Sequence, residues 1–391
     1  MTLINYLTRI HFADGVLEEA LRSEIEAFGK SRPLLIADEQ ESDRLFGERI
    51  LTVISSATQV VCSPSLSIPT ENTARAIADT YRAHSCDLVV AFGSNRAIDV
   101  AKTARIAIAH EEPLAALSND EGGSNRISGL PVFIAIPGIS GFPAALTDYV
   151  RVRLPSGRVT LIAAPQLMPS VTICDPSVTL EASDEDKAVA IAGALARSVD
   201  VCLSPAYNPT ADGLAYDALA RVAENIGKTW LARDLEVRRE MMAADLNSTL
   251  AMQKGLCVVH ALSNAMSAAV AGASDPHQFD GALLSPLVRH YGKAAEAKAG
   301  RIKGSLRLEP SQPLAWGLAT VLADLATPNP LAGRTVTPEH LASAARQAVC
   351  DRAIGNGPRN VDQQDILLVL EAALGTQNPG QWTHVEGMAV N

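Results

Sequence analysis

The pattern of apolar residues changes near residue 180, and this change restricts the possible folds more than any other feature. Before it, short apolar runs alternate with segments whose apolar residues recur every three to four positions. That alternation is typical of an α/β domain with a mostly parallel sheet covered by helices. After it, Ala-rich helical periodicity is punctuated by Pro and Gly, without strand-like alternation. We therefore predict an α/β domain over residues 1–180 and an all-helical domain over residues 181–391.

Individual elements of the first domain can be placed from these patterns. Strands are predicted at residues 32–38, 59–62, 86–92 and 132–136. Helices are predicted at residues 16–28, 41–54, 71–84 and 96–109. A hairpin, residues 148–153 and 158–163, surrounds the turn Leu154-Pro-Ser-Gly157. Because ligands of such sheets bind at the carboxyl ends of the strands, polar residues at those ends are candidate binding residues.

Composition and charge exclude several classes of protein. The 391 residues are 47% hydrophobic, which is sufficient for two buried cores. A net charge of -10 without any Lys/Arg-rich run argues against a nucleic-acid partner. The six cysteines are scattered without a C-x-x-C pair, and the first residues lack the pattern of a secretory signal, so we expect a reduced, cytoplasmic protein. Residues 255–273 are uncharged, but His260 and Asn264 interrupt them, which favours a buried helix over a membrane span.

Three segments at the ends of predicted strands are candidate parts of a cofactor-binding cleft. Asp38 ends one strand, where an acidic residue can accept hydrogen bonds from ribose hydroxyls and repel a 2′-phosphate. Gly93, Ser94 and Asn95 link another strand to a helix, where backbone N–H groups can hold a diphosphate. Residues 136–143 form a second Gly/Pro-rich loop. Each segment alone is also compatible with an ordinary turn, which is the favoured interpretation of Asp38 by itself, and the G-x-G-x-x-G pattern is absent.

Two histidines of the helical domain are candidate catalytic residues. His260 lies within a predicted helix, and His277 lies just before the next one. A single His on an apolar helix is usually a core residue, and two histidines are fewer than the three or four ligands of a metal site. Asp275 and Asp280 can add oxygens, but their spacing does not require it.

The order of these segments resembles the iron-containing (group III) alcohol dehydrogenases, which have a dehydroquinate-synthase-like fold. Five segments carry the resemblance, each of them altered: Gly93-Ser-Asn-Arg-Ala-Ile-Asp99-Val-Ala-Lys102, residues 137–147, residues 168–176, the two histidine segments, and Asn356-Gly-Pro-Arg359. The resemblance implies a nicotinamide cofactor in the first domain, hydride transfer in a cleft between the domains, and a homodimer.

The resemblance also indicates which residues surround the cofactor. The implied residues are Asp38, Gly93, Ser94, Asn95, Gly138, Ile139, Thr147, Tyr149 and Arg158. Ser94 and Asn95 replace glycines of the family pattern, and Gly138 and Ile139 replace its paired threonines. Because Asp38 disfavours a 2′-phosphate, we expect NAD(H) in preference to NADP(H).

The family's metal site is altered on the helix that begins the second domain. The resemblance implies four ligands, an Asp and a His four residues apart on that helix and the two later histidines. Here the first two positions are Gly193 and Arg197, while His260 and His277 remain. Glycine has no side-chain donor and a guanidinium stays protonated, so we predict that no catalytic metal is bound.

These substitutions suggest a chemistry without a metal. Arg197 can supply positive charge to a substrate carboxylate or a developing alkoxide, and His260 or His277 can exchange the proton. We therefore expect a metal-independent oxidoreductase that acts on a small keto or hydroxy acid. Maleylacetate reductases are distantly similar, but their histidine-rich helix is absent here. A non-redox enzyme or a binding protein that reuses the cleft is the alternative, because the glycine motifs are altered.

Overall fold

The computed structural model describes residues 8–38, 46–54, 59–63, 68–226, 233–255, 257–270, 276–331 and 334–375. It divides into two compact units. An α/β unit consists of residues 5–182 and 233–242, and a helical unit takes in the remainder. Part of the helix predicted at residues 41–54, and Asp275, lie outside the described residues.

The α/β unit contains eight strands and five helices within the described residues. The strands are β1 (Arg9–Phe12), β2 (Pro33–Asp38), β3 (Gln59–Ser63), β4 (Leu88–Gly93), β5 (Val132–Pro137), β6 (Tyr149–Arg153), β7 (Val159–Ala163) and β8 (Val171–Cys174). The helices are α1 (Leu17–Ala27), α2 (Phe46–Val53), α3 (Glu71–Ala83), α4 (Asn95–Ala109) and α5 (Phe142–Ala145).

Six of these strands form one parallel sheet in the order β1-β8-β5-β4-β2-β3. Every residue of β2 and β4 is buried, because helices cover both faces, and this explains their unbroken apolar sequence. β6 and β7 form a separate antiparallel pair. The four strands, the hairpin and three of the helices predicted from the sequence are confirmed, and the helix predicted at residues 41–54 is confirmed over its described part, Phe46–Val53, whereas β1 and β8 were missed.

The strand order determines where a ligand can bind in this unit. From β2 the chain adds β3 on one side and then returns to place β4 on the other side of β2. Such a reversal opens a crevice at the carboxyl ends of the strands, and open α/β sheets bind ligands there. Asp38, Gly93 and Pro137 end the neighbouring strands β2, β4 and β5.

The helical unit contains most of the remaining helices, and no strand occurs in its described residues. They are α6 (Asp184–Leu203), α7 (Pro209–Asn225), α8 (Leu235–Ala251), α9 (Val258–Ala269), α10 (Asp280–Tyr291), α11 (Lys293–Glu296), α12 (Ala299–Ser305), α13 (Leu314–Asp324), α14 (Pro338–Ala348) and α15 (Gln363–Gly375). The first residues of α8 belong to the other unit.

Helix α6 is the central helix of this unit. Ser183 caps its first turn, where three acidic residues also complement the helix dipole. From Ala190 to Leu203 every residue is buried, and the charged residues of this stretch, Arg197 and Asp200, have their partners inside the unit. The apolar run around His260 forms α9. Within the described residues, every helix is too short or too polar to span a membrane.

Candidate functional site

The loops after β4 and β5 are locked together by their backbones. Gly138 donates its N–H to the carbonyl of Gly93 (2.9 Å), and Asn95 donates its N–H to the carbonyl of Ser140 (3.1 Å). The Asn95 side chain accepts from the N–H of Ala144 (2.8 Å). A Cβ atom at Gly141 would lie 2.2 Å from the Gly93 oxygen, so only glycine allows this approach. The structure thus joins the two loops that the sequence singled out separately.

The first of these loops ends at the N-terminus of the 15-residue helix α4. Gly93 has φ 121°, a conformation that side chains disfavour. Ser94 is the N-cap residue but makes no side-chain capping bond, and its buried Oγ has no partner among the described residues. A buried hydroxyl without a partner among the described residues, at the positive end of a helix dipole, fits the phosphates of a dinucleotide.

Asp38 contacts this loop directly. Its carboxylate accepts hydrogen bonds from the backbone N–H of Ser94 (2.7 Å) and from Nε and Nη2 of Arg96 (both 3.3 Å). The sequence predicted Asp38 and Ser94 as neighbours of the same ligand, and the structure places them in contact. Arg96 was not among the cofactor residues predicted from the sequence, although its position three residues after Gly93 could have indicated that it lies at the same site.

The remaining predicted cofactor residues lie in three places. Ile139 is partly exposed on the second loop. Thr147 Oγ1 and the carbonyl of Tyr149 accept hydrogen bonds from Lys102 Nζ (3.1 and 3.2 Å), and complete burial lowers the pKa of Lys102 to about 8. Arg158 lies between the hairpin turn and the first residue of β7, and it forms an ion pair with Asp120 (3.7 Å). Among the described residues, no hydrogen bond joins Arg158 to the loop that follows β4.

In the helical unit, His260 and His277 lie together with Asp280. The two imidazole rings are stacked, with centroids 4.5 Å apart and planes inclined by 17°. His277 Nδ1 lies 2.9 Å from Asp280 Oδ2, and His260 Nδ1 lies 4.0 Å from Asp280 Oδ1. Each of the three residues offers one possible metal-ligand atom, and these atoms lie within 4.8 Å of one another. Among the described residues, this is the group that could hold a metal ion. The sequence did not decide whether Asp280 joins the two histidines, and the structure places it in contact with His277.

The Asp280 carboxylate orients His277. Asp280 is buried and also accepts a hydrogen bond from Ser263 Oγ (2.5 Å). Burial alone would raise the pKa of Asp280, but the hydrogen bond from His277 and the charges of both imidazoles outweigh it and lower that pKa. Because an ionised carboxylate only accepts hydrogen bonds, the proton of this contact lies on His277 Nδ1.

Arg197 lies next to this cluster and is held by α8. Its side chain is buried, its Nη2 donates to Asp245, and its Nε donates to Ser248 Oγ (3.2 Å). The third nitrogen, Nη1, makes no hydrogen bond to any described residue. It lies 3.1 Å from the point that a Cβ of Gly193 would occupy, and Asp280 Oδ2 lies 3.4 Å from the same point. Burial raises the pKa of Asp245 to about 6, although Arg197 opposes this effect.

A cavity of about 640 Å³ adjoins the histidine cluster. It lies between α6, α10 and α13, and its lining includes His277, Ala192, Gly281 and Ala319. Small apolar side chains make most of its wall, which is a suitable environment for a hydrocarbon chain.

Comparison with known proteins places both units in one family. The iron-containing alcohol dehydrogenase model matches residues 8–176, and the C-terminal model of the Fe-containing alcohol dehydrogenase family matches residues 192–374. A 4-hydroxybutyrate dehydrogenase from Cupriavidus necator is 30% identical over 383 residues, which cover 96% of this chain and all of the relative.

Two solved structures have the same fold. A sulfoacetaldehyde reductase from Bifidobacterium kashiwanohense, solved in complex with NAD+, aligns with a TM-score of 0.82 and 19% identity over 97% of this chain and all of its own. A maleylacetate reductase from Agrobacterium tumefaciens aligns with a TM-score of 0.73 and 21% identity over 95% of this chain and 98% of its own. At these identities the structures establish the fold.

Proposed function

The chain belongs to the iron-containing alcohol dehydrogenase family and is an oxidoreductase, and from this premise we propose that it interconverts a small hydroxy acid and the corresponding aldehyde or keto acid with a nicotinamide cofactor. The observation that carries the proposal is the buried guanidinium of Arg197, whose Nη1 borders the same space beside Gly193 as Asp280, the carboxylate that lies with the two imidazoles. Such a group binds an anionic oxygen.

The class of substrate follows from that charge. Arg197 offers Nη1 to the carboxylate of the substrate or to the alkoxide that develops at the reacting carbon. The relative from C. necator is named for 4-hydroxybutyrate, whose molecule carries both a hydroxyl and a carboxylate. The apolar cavity beside His277 leaves room for the carbon chain between or beyond these groups.

The chain's own residues provide the proton and the cofactor site. His277, held by Asp280, or its stacked neighbour His260 gives a proton to the substrate oxygen during reduction and takes it back during oxidation. Gly93 and Ser94 at the start of α4 hold the diphosphate of the cofactor. When bound, the nicotinamide supplies or accepts the hydride.

We further propose that the reaction needs no metal ion. His260, His277 and Asp280 offer three possible ligands, the number that the protein supplies in a catalytic zinc site. The guanidinium of Arg197, however, borders the same space as the Asp280 oxygen, and that oxygen already accepts from His277. A permanent cation opposes a second cation there, so these donors do not fit a tightly bound divalent ion.

Kinetics of an Arg197→Met variant test the role of the guanidinium. We expect kcat/KM for 4-hydroxybutyrate oxidation with NAD+ to fall by about 100-fold or more, since a charge-assisted hydrogen bond is lost from a buried site. A rise in KM alone would indicate carboxylate binding, and a fall in kcat would indicate alkoxide stabilisation. Arg221→Met, which alters a partly exposed arginine of α7, is the control. Unchanged turnover in Arg197→Met would contradict the proposal.

Metal content tests the second part. Purified protein should contain less than one transition-metal ion per ten chains by elemental analysis, and a chelator should leave its activity unchanged. A stoichiometric ion whose removal abolishes activity would refute metal independence. Absence of NADH and NADPH binding would instead favour a non-redox use of this fold.

A further inference from the structure

Arg96 changes the expected nucleotide preference, because it neutralises the residue on which that expectation rested. We propose that Arg96 binds the 2′-phosphate of NADP(H), so that this protein accepts NADP(H) as well as NAD(H). The inference rests on the proposed function, since it concerns the same nucleotide site.

Neighbouring donors compensate the charge of Asp38. An acidic residue at the end of the second strand excludes a 2′-phosphate when its charge faces the ribose without compensation. Here Oδ2 of Asp38 accepts the N–H of Ser94, and Oδ1 accepts from Nε and Nη2 of Arg96. The side chain of Asp38 is only 3% exposed, so its charge is covered by donors of the Gly93 loop. Repulsion of a phosphate is correspondingly weakened.

Arg96 remains able to bind an anion. Its side chain is 26% exposed, so solvent and ligands can reach it. Its Nη1 makes no hydrogen bond to any residue that the structure describes. A guanidinium can bind a phosphate with several parallel hydrogen bonds, and Arg near this strand end is a known way to accommodate a 2′-phosphate. Asp38 holds the guanidinium by two nitrogens and thereby fixes its position beside the ribose site.

Arg96 lies in the first turn of α4. It is the second residue of this 15-residue helix, one residue after Asn95 and two after the N-cap Ser94. The helix dipole and the N–H groups of this turn add positive potential to that of the guanidinium. A dinucleotide whose diphosphate lies on Ser94 therefore has its adenosine ribose within reach of the pair formed by Asp38 and Arg96.

Direct binding measurements on the full-length protein test this inference. NADH and NADPH are titrated while nicotinamide fluorescence is followed, and we expect the two dissociation constants to agree within about 10-fold. Arg96→Ala should weaken NADPH binding by about 10- to 100-fold, the effect of losing charged hydrogen bonds, and NADH binding by less than about 3-fold. Arg96→Lys should retain part of the NADPH affinity, and Asp38→Asn should strengthen NADPH binding. Arg82→Ala, on α3, serves as the control.

The outcomes separate this inference from the function on which it rests. Strong NADH binding with no NADPH binding in the unmodified protein would overturn the inference alone. Equal weakening of both nucleotides by Arg96→Ala would also overturn it, because Arg96 would then bind the diphosphate. Binding of neither nucleotide to the unmodified protein would overturn the proposed function together with the inference.

Discussion

Replacing Asp200 with Asn should stabilise the protein at neutral and alkaline pH, and the gain should disappear in acid. Asp200 lies on α6, three residues after Arg197, and is 7% exposed. Its Oδ2 accepts a hydrogen bond from the N–H of Val259 (2.8 Å) in the first turn of α9, next to His260. Burial raises the pKa of Asp200 from 3.8 to about 7, against the effect of the backbone hydrogen bonds.

The size of the effect follows from the difference between the two pKa values. A carboxyl that titrates near 7 when folded and near 3.8 when unfolded binds its proton more tightly in the folded state, so stability falls as pH rises between these values. The full difference corresponds to about 4 kcal/mol at pH 8, about 2 kcal/mol at pH 5.5, and almost nothing below pH 4. Asn keeps an acceptor for Val259 and carries no charge, so it removes this cost.

The assay is urea denaturation followed by circular dichroism from pH 4 to pH 8.5. Asp200→Asn should be more stable than the unmodified protein above pH 6, and the two curves should converge toward pH 4. Asp324→Asn, at an exposed carboxylate of the same unit, should change stability by less than about 0.5 kcal/mol at every pH. A difference between Asp200→Asn and the unmodified protein that did not vary with pH would refute the reasoning.

Three further substitutions test other parts of the structure. Asp280→Asn should lower the free energy of unfolding by about 1–3 kcal/mol at pH 7, because His277 loses its charged partner. Since the pKa of Asp280 is lowered from 3.8 in the folded protein, the ionised carboxylate stabilises the fold above this pH, and its protonation at lower pH removes that stabilisation. Urea denaturation should therefore show the difference between variant and unmodified protein disappearing as the pH falls below 3.8. Gly141→Ala should weaken NADH binding by about 10-fold or more in fluorescence titrations, since its Cβ would force apart the loops joined at Gly93; unchanged affinity would contradict this. Ala319→Trp, which narrows the cavity, should reduce kcat/KM for longer hydroxy acids about 10-fold more than for 4-hydroxybutyrate; an equal effect on all chain lengths would show that the carbon chain lies elsewhere.

The sequence predicted the elements whose residues repeat one pattern over their whole length. β2 and β4 were recognisable because all six residues of each are buried, which requires an unbroken apolar run. β1 and β8 have only four residues each, and the polar side chains in Arg9–Phe12 prevent such a run, so their pairing is set by contacts distant in sequence.

The chemistry of the site could be predicted only in part. Gly193 and Arg197 were paired correctly because they are four residues apart on one helix. The proximity of Asp280 to Gly193 depends on how α10 packs beside α6, and the contact between Arg96 and Asp38 depends on strand order. Periodicity contains no information about either contact, and the proposals on metal independence and on the 2′-phosphate depend on these two contacts.

The absence of room for a side chain at Gly141 has a consequence for the thermodynamics of binding. Because the loops after β4 and β5 touch through backbone atoms, neither can reorganise without the other, and their order is established when the α/β unit folds. The conformational entropy of these loops is therefore lost before a nucleotide arrives. In the proposed function, this preorganisation spares the loop after β4 a separate ordering step when it binds the diphosphate of the cofactor.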